Sequence, residues 1–116
     1  SLPILDDKRN SLNKDLPNLH WLEMSSTVAK NNSCIHGATL WFEDYPTQPR
    51  TVNDFEFISG FEPLVYETHR ATCRYLEDNV EERDIIITHH NPSYQSMVQR
   101  FKTYHGNCWF HNDIPT

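Results

Sequence analysis

Seven histidines and sixteen acidic residues supply most of the chemically capable side chains of the chain, and two of the imidazoles are adjacent. They end an apolar run: Arg83 to Ser93 reads RDIIITHHNPS. A strand that terminates in polar residues can deliver a ligand at the carboxyl edge of a sheet, because the strand fixes the backbone while the following loop opens to solvent. His89 and His90 would offer ring nitrogens suited to Zn, Mn or Fe, with Thr88, Asn91 or a backbone carbonyl to orient the ring. Taken alone, a histidine pair in a loop is more often polar filler than a ligand, and Asn91 to Ser93 (NPS) is a good turn former in its own right. His20, His36, His69, His105 and His111 are scattered, with no His-x-x-x-His spacing on one helix face. Glu43, Asp44 and Asp54 are candidate carboxylate ligands or acids, although acids in an exposed loop are usually just solvated.

Cys34, Cys73 and Cys108 are odd in number and far apart, which suggests neither a disulfide framework nor a thiolate zinc site, so reduced thiols are expected. Cys73 falls on the apolar face of a helical pattern and reads as packing rather than as a nucleophile. Asp113, after Trp109 and Phe110, reads equally well as a helix N-cap. The net charge of -6, with ten Lys and Arg in total, argues against a general nucleic-acid-binding surface. No run approaches the ~18 apolar residues of a membrane span. The start, SLPILDDKRN, lacks the apolar core of a signal peptide, so a cytoplasmic chain with no membrane association is expected.

The elements that must position these residues can be read from the pattern. At 116 residues, a single segment with one modest core is expected. SLNKDLPNLHWLE predicts a helix start or loop stopped near Pro17, then a short strand over residues 19–22. CIHGATLWFED, Cys34 to Asp44, predicts a strand closed by the prolines of YPTQP. Tyr45 to Pro63 reads as a long excursion with a helical turn around NDFEFI. Val65, His69, Cys73, Leu76 and Val80 recur at spacings of four, four, three and four, the stripe of an amphipathic helix over 64–80. DIIIT follows as an unalternating β-branched run, the pattern of a strand covered on both faces. The tail predicts a short helix around Met97 to Phe101 and a strand through NCWF. Helix followed by buried strand points to an α/β fold.

Taken together and in order, IHGATLWFED, VNDFEFI, ETHRATCRYLEDNV and IIITHHNPS resemble the second half of a calcineurin-like metallophosphoesterase domain. One branch of that family has a Gly-x-Thr-Leu-Trp strand, an Asn-Asp-Phe segment, a helix with a His near its start and a Val-Val-Val-Thr-His-His-x-Pro-Ser strand end. Here these are Gly37 to Trp41, Asn53 to Phe55, His69 and Ile85 to Ser93, and the likeness covers roughly residues 16 to 113.

The resemblance implies a two-sheet β-sandwich flanked by helices; the alternative is a small independent α+β domain. It also implies a phosphomono- or diester substrate and a dinuclear centre of divalent metal ions (Mn, Fe, Zn or similar). Such ions acidify water and hold the phosphoryl oxygens. His89 is the expected metal ligand and His90 the expected catalytic neighbour lining the phosphate site, although reading back from the proline as His-x-Pro would make His90 the ligand. The family's Asp-x-His, Gly-Asp-x-x-Asp, Gly-Asn-His and Gly-His-x-His motifs are not in this sequence. Activity would therefore need a missing part of the domain or a complementing chain, and a non-catalytic binding or assembly module is the competing expectation.

Overall fold

A computed structural model describes the backbone of residues 3–114 and the side chains of residues 6–114. Residues 1–2 and 115–116 of the expected single segment lie outside the described residues. The chain is a mixed α/β structure. Helix α1 (Pro3–Asp15) is followed by strands β1 (Ser25–Val28) and β2 (Cys34–Ala38), helices α2 (Asp54–Phe57) and α3 (Phe61–Asn79), and strand β3 (Ile85–Thr88). Short 3-10 turns cover Tyr94–Ser96, Gln99–Phe101 and Asn107–Trp109.

α1 stops two residues before Pro17, whose ring disfavours helix in the residue ahead of it. The first strand is not at residues 19–22 as expected but at Ser25–Val28. The local reason is the turn that follows: Ser33 N–H bonds Asn31 Oδ1 at 3.1 Å, and Asn32 adopts a left-handed φ of 67°, which asparagine tolerates. That turn pairs Val28 with Cys34 and Ser25 with Gly37, so the register follows from the asparagines rather than from Leu19 and Leu22.

β1 is antiparallel to β2, and β2 is parallel to β3, in the order β1-β2-β3. The parallel pairing requires a crossover, and residues 39–84, carrying α2 and α3, provide it. The stripe predicted over 64–80 is borne out: Val65, His69 and Leu76 are buried on α3, together with Phe61, Tyr66 and Thr72. Glu62, just before Pro63, is extended (ψ 135°), so the regular helix begins with proline in its first turn.

The core lies beyond the end of β2. Phe42, Phe61, Val65, Tyr66 and Trp109 form it, flanked by Trp41, Tyr45, Val52, Phe55 and Cys108. Arg50 lies over the rings of Phe55 and Trp109 while its guanidinium bonds Glu62 and the carbonyls of Tyr45 and Gln48. The proline-rich excursion is thereby folded onto the aromatic cluster. The tail, expected to hold a strand through NCWF, instead makes a 3-10 turn that drives Trp109 into the core, and an isolated bridge joins Asn91 to His111.

The expected burial of β3 is overturned as well. Ile85, Ile86 and Ile87 are 49%, 43% and 58% exposed, so β3 is not covered on both faces. Among the described residues β3 is an edge strand hydrogen-bonded only to β2, and the aromatic residues that recruit α3 cluster after β2 rather than over the isoleucines. Among the described residues the strands make one sheet.

Candidate functional site

Directly after β2, Leu40 (φ 73°) and Trp41 (φ 54°) both occupy the left-handed region, which a β-carbon disfavours by roughly 1–2 kcal/mol per residue. The polar groups of this turn are held from four segments. Glu23 accepts from the Thr39 amide (3.0 and 3.2 Å) and from its hydroxyl at 2.7 Å. The Thr39 carbonyl accepts from His90 Nδ1 at 3.1 Å and from the His90 amide at 3.2 Å. The Leu40 carbonyl accepts from His69 Nδ1 at 2.8 Å, and the Trp41 carbonyl from Asn112 Nδ2 at 2.8 Å. The strained turn persists because its surroundings over-determine it, a situation that concentrates at functional sites.

A carbonyl can only accept, so in the neutral ring Nδ1 of His69 and of His90 carries the proton and Nε2 keeps its lone pair. For His69 that lone pair faces Cys73 Sγ at 3.6 Å, inside α3. His90 Nε2 has no comparable partner among the described residues. Among the described residues no buried side-chain nitrogen or oxygen lacks a hydrogen bond, so His90 Nε2 reaches the surface although the residue is buried. Trp41 and Phe42 pack against the His90 ring at centroid distances of 5.3 and 5.6 Å. Burial lowers its pKa, opposed by the bond to Thr39 and joined by the neighbouring His89, so the ring is neutral near pH 7. An imidazole whose Nδ1–H is fixed by a backbone carbonyl, with Nε2 open, has the arrangement of a metal ligand or a proton acceptor.

His89 is exposed and edge-on to His90, with ring centroids 5.1 Å apart. It lines a surface cleft of about 530 Å³ at the carboxyl ends of β2 and β3, together with His20, Trp21, Glu23 and Thr88. The expected delivery of both imidazoles to the carboxyl edge of parallel strands is thus present. Among the described residues, His89 and His90 are not part of any cluster of three or more metal-ligating side chains.

The other candidates do not line this cleft. Glu43 pairs with Arg70 at 3.3 Å and Asp44 with Arg50 at 3.2 Å, both on the surface. Asp54 opens α2. His111 donates to the Asn107 carbonyl, and His105 is exposed. Cys73 is half-buried at the lip of a groove, its thiol pushed up by burial and by Glu43 and Glu77, which leaves it a poor nucleophile. Asn112 and the strained pair Leu40 and Trp41 escaped the sequence reading, because neither glycine nor asparagine marks the left-handed positions. The pairing of His36 with Asp84, 48 residues apart, carries no sequence signal either.

Comparison with family profiles, with curated proteins and with solved structures finds no match for this chain. Among the described residues no helix is long and apolar enough to cross a membrane.

Proposed function

We propose that this chain forms part of a metal-dependent phosphoesterase, in which the carboxyl edge of β2 and β3 contributes two imidazoles to a phosphate-ester site. The observation that carries the reading is His90, with Nδ1–H held by the Thr39 carbonyl and Nε2 open beside an exposed His89. Resemblance to the calcineurin-like family through GATLW and THHNPS supports the same assignment. In that fold the sheet would pack on a second sheet.

The residues present fit the implied metal centre in part. Two adjacent imidazoles, one with a backbone carbonyl behind its ring, suit divalent Zn, Mn or Fe. Divalent ions at this edge would supply Lewis acidity toward the phosphoryl group. His90, whose orientation is set from behind, is the better-organised donor; His89, with a freely exposed ring, suits contact with the ester or a second ion. The remaining ligands would come from outside this segment. Burial of His90 keeps it neutral and therefore available to accept a proton or bind a cation near pH 7.

The test is hydrolysis of p-nitrophenyl phosphate and metal content, measured on the complete protein that carries this chain, for His89→Ala and His90→Ala. The reading expects at least a 100-fold loss in one variant together with loss of bound metal, whereas full activity in both would remove this edge from the mechanism. A second reading, a binding or assembly module, draws support from exposed Ile85, Ile86 and Ile87. It expects unchanged hydrolysis in both variants and association with another chain through β3.

A further inference from the structure

A second set of ligating side chains gathers at the opposite, amino-terminal end of the parallel pair. Cys34 opens β2, His36 lies two residues along it on the same face, and Asp84 immediately precedes β3. Parallel pairing of Ile35 with Ile85 and of His36 with Ile86 brings these starts level. One donor atom each from Cys34, His36 and Asp84 lies within 4.8 Å of the other two. His36 is 2% exposed, and its Nε2 sits 3.0 Å from Asp84 Oδ2.

Asp84 and His36 are held by further hydrogen bonds. Asp84 Oδ1 accepts from the Cys34 amide at 3.0 Å, and Oδ2 accepts from the Glu81 amide at 2.9 Å, so the carboxylate is pinned by both neighbouring segments. Those two amides and His36 hold the Asp84 carboxyl below its usual pKa, ionised across the neutral range. His36 Nδ1 is 2.9 Å from the Tyr75 hydroxyl of α3, a partner that can accept as readily as it donates. Asp84 also lines an open groove of about 790 Å³ along α3, rimmed by Glu77, Glu81 and Glu82, which gives a cation a path of negative charge toward it.

We propose that Cys34, His36 and Asp84 form a binding site for a zinc-class divalent cation. Thiolate, imidazole and carboxylate are zinc donors, and bond lengths of about 2.0–2.3 Å in a tetrahedron set donor separations of roughly 3.3–3.6 Å. His36 Nε2 and Asp84 Oδ2, 3.0 Å apart, are already that close, and no pair of the three donors, all within 4.8 Å of one another, needs to close by more than about 1.5 Å. Binding replaces the proton shared by His36 and Asp84: the proton moves to His36 Nδ1, which donates to Tyr75, while Nε2 and Asp84 Oδ2 turn their lone pairs on the ion. Cys34 loses its thiol proton to solvent. A fourth position would be left for water. The ion would tie β2, β3 and α3 together at the end of the sheet remote from His89.

The test is site-resolved alkylation. The complete protein that carries this chain, reduced and stripped of metal, is treated with iodoacetamide with and without one equivalent of Zn²⁺ per site, and peptides are quantified by mass spectrometry. The proposal expects Cys34 labelling to slow at least 10-fold with zinc while Cys73 and Cys108 label unchanged. Unaltered Cys34 labelling overturns it. In parallel, Co²⁺ should give a thiolate charge-transfer band that is lost in Cys34→Ser, persists in His90→Ala and weakens in affinity by roughly 10-fold in Tyr75→Phe. A band that survives Cys34→Ser but disappears in Cys73→Ser or Cys108→Ser also overturns the site. Should Cys34→Ser fail to fold, the alkylation of the unmutated protein decides alone.

Discussion

His69 donates from Nδ1 to the carbonyl oxygen of Leu40 at 2.8 Å, so the middle of α3 holds a residue whose φ of 73° opposes its own side chain. The histidine in the apolar stripe of the helix is therefore a buried clamp on the turn that precedes the His89–His90 edge. His69→Ala leaves the Leu40 carbonyl without a donor and opens a void, and should destabilise the chain by about 2–3 kcal/mol. His69→Gln, which can still donate, should recover much of that loss. Urea midpoints of the two variants measure it, and an alanine variant within about 0.5 kcal/mol of the parent would contradict the clamp.

Gly37 is required by its neighbour. A β-carbon at this position would stand 2.5 Å from Leu22 Cβ, a contact that no rotation of the leucine relieves. Gly37→Ala should cost about 1–3 kcal/mol through forced movement of residues 22 and 37. Combining it with Leu22→Gly, which removes the opposing atoms, should cost less than the sum of the two single changes. Strict additivity in that cycle would refute the collision.

Stability should fall on the acid side because of His90. Its folded pKa is lowered, chiefly by burial, so the unfolded chain takes up a proton near pH 6.5 while the folded chain does not. The unfolded state binds more protons in that window, so stability rises with pH there. The penalty is absent above about pH 6.5 and grows as the pH falls toward the folded value, with a slope of at most about 1.4 kcal/mol per pH unit from one imidazole. His90→Gln should flatten the profile just below pH 6.5; an unchanged slope would assign the acid sensitivity elsewhere.

The isoleucines of β3 should be nearly silent in this chain. Ile87 is 58% exposed, so Ile87→Thr, which retains β-branching, should change stability by no more than about 0.5 kcal/mol. A cost near 2 kcal/mol would show that this face is covered in the protein as isolated.

The sequence alone determined the elements whose cause is local. Pro17 and the apolar stripe through Val65, His69 and Leu76 mark the end of α1 and the body of α3. The β-branched run Ile85 to Thr88 was legible as a strand, and the polar residues after it as the edge carrying His89 and His90. Tertiary structure decided the rest, because the deciding contacts join residues far apart in sequence. An unalternating run predicts burial only if other layers cover both faces, and here the aromatic core formed by Phe42, Phe61 and Trp109 gathers beyond the end of β2, leaving Ile85 to Ile87 open. The left-handed turn at Leu40 and Trp41 has no glycine to announce it; it exists because Glu23, His69, His90 and Asn112 converge on its polar groups. The meeting of Cys34, His36 and Asp84 follows from a parallel register that composition does not encode. Residue identity supplied the donors, and the crossover between β2 and β3 chose which of them meet.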